Sequence, residues 1–134
     1  MKKIQILIVD DFKEYLEKLT GYFSKLCVVY TENSFIGAIK MIKEKKFSLI
    51  ISDVYLLDGL GLNLINLVKK NSPKTVCIAV SGKDEIKIKH LHSDLIKYDY
   101  FIQKPLSYEK LNFVENIIKD ISVSSNKEVF NEKL

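Results

Sequence analysis

The chain has 134 residues, 47% hydrophobic and 28% charged, with a formal net charge of +4 and no arginine. These values exclude a disordered polymer and fit one globular domain with a core of its own. The basic excess is all lysine, scattered among acids except at Lys43-Glu44-Lys45-Lys46; without the bidentate arginine fork, this surface points away from nucleic-acid binding.

Cys27 and Cys77 lie in apolar segments with no CxxC spacing. They read as buried free thiols, which suits a cytoplasmic location. Met1-Lys2-Lys3 before an apolar stretch has the outline of a signal peptide, but the stretch is short and Asp10-Asp11 closes it. No run reaches the length of a membrane span.

Ile4 to Val9 reads as a first buried strand ending at Asp10-Asp11. Phe12, Tyr15, Leu16, Leu19, Tyr22, Phe23 and Leu26 recur at three and four residues, which predicts a helix over about 12–25 with Asp10 or Asp11 as its cap. Cys27 to Thr31 is β-branched and aromatic, a second strand. Asn33-Ser34 cap a second helix with Phe35, Ala38, Ile39 and Ile42 on one face, closed by Lys43 to Lys46. Phe47 to Asp53 is a near-continuous apolar run that ends on a carboxylate, a third strand buried on both faces.

Gly59 and Gly61 punctuate the loop that follows. Leu64, Ile65, Leu67 and Val68 mark a third helix, ending near Asn71-Ser72-Pro73. Thr75 to Val80 is a fourth strand, ending at Ser81-Gly82. A fourth helix is predicted over about 83–96 with Ile88, Leu91 and Leu95 inward. Asp99 to Ile102 is a fifth strand, ending at Gln103-Lys104-Pro105. Ser107 caps a last helix carrying Leu111, Val114, Ile118 and Ile121. Residues 1–121 thus form the domain, and 122–134 read as a frayed or disordered tail or a linker stub.

Five strand–helix repeats predict an α/β fold: a parallel sheet with helices on both faces. Right-handed crossovers leave the flavodoxin-like order 2-1-3-4-5, a (βα)5 three-layer sandwich. In that order strands one and three are neighbours. Asp10, Asp11 and Asp53 then crowd one pocket, with Ser81 from strand four and Lys104 from strand five. Clustered carboxylates call for compensation, and a hard cation such as Mg²⁺ supplies it. A carboxylate nucleophile, a metal, a hydroxyl and a cation suit phosphoryl transfer.

With these residues assembled, the sequence resembles the receiver domain of two-component response regulators over about residues 3–121. The resemblance rests on Asp10-Asp11, Asp53, Asp58-Gly59-Leu60-Gly61, Ser81-Gly82 and Lys104-Pro105, each in order at a strand end. It implies that Asp53 accepts a phosphoryl group from a sensor histidine kinase or phosphotransfer protein. It implies Mg²⁺ held by Asp11, Asp53 and the Tyr55 carbonyl, with Asp10 acting mainly through water. Ser81 would bond a phosphoryl oxygen, Lys104 would pair with the acyl phosphate, and Phe101 would move with Ser81. The Lys104-Pro105 bond would be cis. Such a protein is a signalling switch rather than an enzyme.

Two positions depart from the family. Leu57 stands where Pro is common. Tyr55 is bulky where relatives carry a small or polar residue, so its ring would shield the acyl phosphate from water. His90 and His92 are two apart on a helix, read as solvent-facing, with no zinc. Ile86, Phe113 and Ile117 lie off the inward stripes of their helices and mark a partner surface or a phosphorylation-dependent homodimer face. Output would pass to a downstream protein or to an effector domain absent after residue 121.

Four alternatives are weaker. A receiver-like interaction module that works without phosphorylation is disfavoured by the intact acidic pocket. A Mg²⁺-dependent aspartyl phosphatase needs an acid at Tyr55. A flavodoxin's first loop cradles a phosphate, which Asp10-Asp11 would repel. A dinucleotide-binding fold lacks GxGxxG.

Overall fold

The structure, a computed structural model, describes residues 3–133. The strands are β1 Gln5–Val9, β2 Val28–Glu32, β3 Leu49–Asp53, β4 Tyr55–Leu56, β5 Gly59–Leu60, β6 Val76–Ser81 and β7 Tyr100–Gln103. The helices are α1 Lys13–Phe23, α2 Phe35–Glu44, α3 Gly61–Asn71, α4 Glu85–Leu91 and α5 Tyr108–Lys133, with a short 3₁₀ turn at Ser93–Leu95. β2, β1, β3, β6 and β7 form one parallel sheet in that order. Counting sheet strands alone, this is the predicted order 2-1-3-4-5.

Alternation along the central strands divides the core. Ile6, Ile8, Leu49, Ile51, Ile78 and Val80 face one side, packed by α1 and α5 through Leu16, Leu19, Phe23, Val114 and Ile118. Leu7, Val9, Ile50, Cys77 and Ala79 face the other, packed by α2, α3 and α4 through Ala38, Leu64, Ile65 and Ile88. Strands sandwiched this way bury both faces, which is why they read as near-continuous apolar runs; the buried Ser52 of β3 satisfies its hydroxyl on the Asp53 carbonyl at 3.0 Å. Each such side chain contributes about 1.5–3 kcal/mol by leaving water. Cys27 and Cys77 are buried and unpaired. Burial pushes their thiols up to about 11 and about 12, so both stay protonated at neutral pH.

Several elements differ from the expectation. β4 and β5 form a two-stranded antiparallel hairpin just after β3, where only a loop is predicted; two-residue strands leave no periodicity to read. α1 begins at Lys13 with Phe12 in the cap position and no side-chain cap. Asp10 instead accepts the Phe12 N–H at 2.9 Å. α4 ends at Leu91 rather than continuing to 96, so Leu91 turns outward at 58% exposure instead of inward. Ile117, predicted on the outer face of the last helix, is buried in the core. α5 runs on to Lys133, past Ser122. Its end carries no Gly or Pro, so nothing stops the i→i−4 ladder from propagating.

One glycine is required. Gly61 opens α3 with its N–H bonded to the Val54 carbonyl at 2.7 Å. A Cβ there would strike the Asp53 backbone carbonyl and crowd Ser52 Oγ. The backbone of α3 therefore lies directly behind the carboxylate-bearing end of β3.

Candidate functional site

Sheet register brings the predicted residues together. Val9 pairs with Ser52, so Asp10 and Asp53 leave the sheet side by side. Ser81 pairs with Gln103, which sets Lys104 next in line. The Lys104 N–H bonds the Ser81 carbonyl at 2.8 Å. The Lys104-Pro105 peptide is cis.

Lys104 is the centre of the cluster. Its Nζ donates to Asp10 Oδ2 at 2.8 Å and to Asp53 Oδ2 at 3.0 Å. Asp10 is only 4% exposed, and that ammonium is the cation paired with it. Tyr15 from α1 turns its ring to the same ammonium, 5.0 Å from the centroid. The Tyr15 hydroxyl is buried with no protein partner among the described residues, and burial pushes it up to about 12.

Burial raises Asp53 above its ordinary value, against the Lys104 hydrogen bond and charge that favour ionisation and with Asp10 adding to the rise. Burial works against Lys104 as well, but the bonds to Asp10 and Asp53 outweigh it and hold the ammonium above its ordinary value. The two partners thus shift in the same direction for different reasons. Asp53 lacks the depressed value of a carboxylate fully satisfied by an ion pair.

Asp11 stands apart from this trio, accepting the Leu57 N–H at 3.1 Å. Among the described residues no group of three or more His, Cys, Asp or Glu is gathered as a metal cluster; the Lys104 ammonium stands between Asp10 and Asp53 instead. The donor chemistry still suits Mg²⁺, which takes hard oxygens from one or two carboxylates and keeps several waters.

Ser81 is buried, its Oγ accepting the Lys83 N–H at 3.1 Å. Phe101 is half-buried and packs on Tyr98, ring centroids 5.7 Å apart. Tyr98 in turn bonds Glu85 at 2.6 Å, so Phe101 is linked to the start of α4. The Tyr55 side chain lies on the α4 side of the site, its hydroxyl 2.9 Å from His92 Nε2. His92 is therefore not simply solvent-facing as predicted.

Asp58 is a residue whose role the sequence left unread. It accepts the Phe35 N–H at 2.7 Å and the Ile36 N–H at 3.1 Å, while Ser34 accepts that of Gly37 at 3.0 Å. The first turn of α2 is thus capped partly from another loop. Those backbone bonds hold the Asp58 carboxyl below its ordinary value. The only trace in the sequence is an Asp before Gly59. Leu57 beside it is 93% exposed, a bare loop tip.

The cavity behind Asp53, lined by Asp10, Tyr15, Val80 and Leu106, holds only about 10 Å³. A wider concavity, about 460 Å³, lies at the opposite end of β3 and β6 beside Phe47, Thr75 and Asp120.

Comparison with known proteins agrees with this arrangement. Residues 6–114 match the response regulator receiver domain family. The chain is 31% identical over 122 residues to a response regulator NtrX-like protein of Rickettsia felis, covering 83% of this chain and 24% of that protein. It spans about a quarter of the length of the curated relatives it matches. The beryllofluoride-activated NtrC4 receiver domain dimer superposes with a TM-score of 0.74 at 29% identity, over 87% of this chain and 94% of that one. A CheY-like receiver domain protein of Methanospirillum hungatei superposes with a TM-score of 0.79 at 21% identity, over 94% and 99% of the two chains, a likeness of fold. This chain belongs to the response regulator receiver family of two-component systems. Receivers are signalling domains rather than classical enzymes. Among the described residues no helix is long and apolar enough to cross a membrane.

Proposed function

We propose that Asp53 is the phosphoryl acceptor of a Mg²⁺-dependent cytoplasmic switch. One observation carries the reading: Lys104 Nζ reaches both Asp10 and Asp53, so a single cation is already poised over the candidate nucleophile. An Asp53 oxygen attacks the phosphorus of a phosphohistidine on a histidine kinase or phosphotransfer protein. The P–N bond breaks, the imidazole leaves, and an acyl phosphate forms on Asp53. Lys104 then exchanges a carboxylate partner for a phosphoryl oxygen, and Ser81 supplies a hydroxyl proton to another. Asp11, Asp53 and the Tyr55 carbonyl would hold Mg²⁺, with Asp10 acting through water. When bound, the ion neutralises charge on the transferring oxygens.

The output face is the exposed side of α4, β7 and α5. Ile86 is 81% exposed there, with Leu91, Tyr100 and Phe113 also outward. Tyr100 and Phe113 meet edge to face at 5.4 Å. A downstream protein or a second copy of the chain is the occupant this surface suits. The beryllofluoride-activated NtrC4 receiver is itself a dimer.

The test is direct. Incubated with acetyl phosphate and Mg²⁺, the protein takes up one base-labile phosphate by intact mass, and Asp53→Asn takes up none. An adduct that survives Asp53→Asn overturns the assignment. No adduct on the wild-type chain would leave a receiver-like interaction module that works without phosphorylation.

A further inference from the structure

Tyr55 stands two residues after Asp53, and its side chain is tied down at the far end. The hydroxyl lies 2.9 Å from His92 Nε2. The two rings are 5.7 Å apart at 59°. Lys83 Nζ lies over the Tyr55 ring, 5.9 Å from its centroid. His92 and Tyr55 are 37 residues apart in sequence, so local chain geometry does not impose their meeting.

Both partners are held by their own backbone. His92 is the C-cap of α4, its N–H bonded to the Ile88 carbonyl at 2.9 Å. Its carbonyl accepts the Leu95 N–H at 2.9 Å. Tyr55 pairs with Leu60 in the β4–β5 hairpin, and its neighbour Val54 bonds the Val80 carbonyl at 2.8 Å. A phenol and an imidazole between two such anchors lose little further freedom on pairing. The pair also works with either neutral tautomer: Nε2 accepts the phenol proton, or carries its own and donates to the phenol oxygen. His90, exposed on α4, makes no such contact.

We infer that His92 is a positioning residue that sets how long phosphate stays on Asp53, by fixing the Tyr55 ring two residues along the chain. This rests on Asp53 being the acceptor. Loss of the phosphate requires a water oxygen to attack phosphorus while the acyl P–O bond breaks. The products are the Asp53 carboxylate and dihydrogen phosphate, which keeps both water protons. A bulky ring held at one end of the β3–β4 connection restricts that water's approach; a ring free to swing does not. His92 therefore acts from α4 on chemistry at β3 without touching the reacting atoms.

The test follows decay of the Asp53 phosphate after acetyl phosphate is removed, in Mg²⁺ buffer, by intact mass. His92→Ala shortens the half-life about fivefold, the rate equivalent of one lost hydrogen bond. Tyr55→Phe shortens it equally, and the double variant no further, because one contact is being removed twice. His92→Gln, which keeps a hydrogen-bonding group of similar reach, restores most of the lifetime. Thermal melting stays unchanged throughout, so a general loosening of the fold would be visible as a different result. An unchanged half-life in His92→Ala overturns the proposal while leaving Asp53 as acceptor. So do effects of the two single variants that multiply. Failure of the wild-type chain to take up phosphate overturns the acceptor reading, and this inference with it.

Discussion

The two flanks of Asp53 are built on different principles. On one flank Asp10, Lys104 and Tyr15 form a compact charged cluster: Asp10 is buried, and the ammonium is shared by two carboxylates and a ring. On the other, Tyr55, Lys83 and His92 lie nearer the surface, held by one hydrogen bond, one ring–ring contact and one cation over a ring. The first arrangement is costly to disturb because Asp10 is buried and Asp53 mostly so, with Lys104 as their shared counter-charge. The second is less buried, so disturbing it costs less.

Removing Lys104 gives the largest contrast. Lys104→Ala leaves Asp10 buried and facing Asp53 with no counter-charge, and lowers stability by about 2–3 kcal/mol. Urea unfolding at neutral pH measures it; a loss within error would show that the first flank is no tighter than the second.

Asp53→Asn goes the other way. Burial holds Asp53 above its ordinary value, so its proton-bound form is favoured by folding. That contribution is full below the ordinary aspartate value and is lost as pH rises through the raised one. At neutral pH the ionised Asp53 is therefore a liability, and Asp53→Asn melts above wild type. The gap between variant and wild type closes as pH falls through the Asp53 value. Melting curves from pH 7 downward check both the sign and the closure.

The smallest effect belongs to the second flank. Lys83→Ala removes an exposed cation from the Tyr55 ring and changes stability by less than about 0.5 kcal/mol. A loss comparable to that of Lys104→Ala, measured in the same urea series, would erase the distinction between the flanks.

The same contrast explains what could be read before the structure was known. β1, β3 and β6 declare themselves as apolar runs, and each ends on or just before a residue of the site. Once the strand order follows from alternation, Asp10, Asp53, Ser81 and Lys104 must converge. Ser34 is legible as a cap because its partner Gly37 is three residues away. The second flank depends on contacts with no local signature. Tyr55 finds His92, and Asp58 finds the N-terminus of α2 from 22 and 23 residues away. The sequence predicts α4 too long because Leu91 and Leu95 continue its apolar spacing. Backbone geometry at His92 ends the helix first, and Leu91 is left outside. Ile117 fell off the narrow stripe but not off the wider apolar face that a core-facing helix buries.

Ser81 holds one more consequence. Its oxygen is occupied by the Lys83 N–H, yet its own proton remains to be given. The hydroxyl can donate toward Asp53 without surrendering the bond it already accepts. Any inward travel of that oxygen then drags on the amide two residues along, and Lys83 carries the cation lying over Tyr55. A sub-ångström tug at the end of β6 would thus be felt at the same ring that His92 holds from the far end of α4, as tension on a cord fixed at both ends.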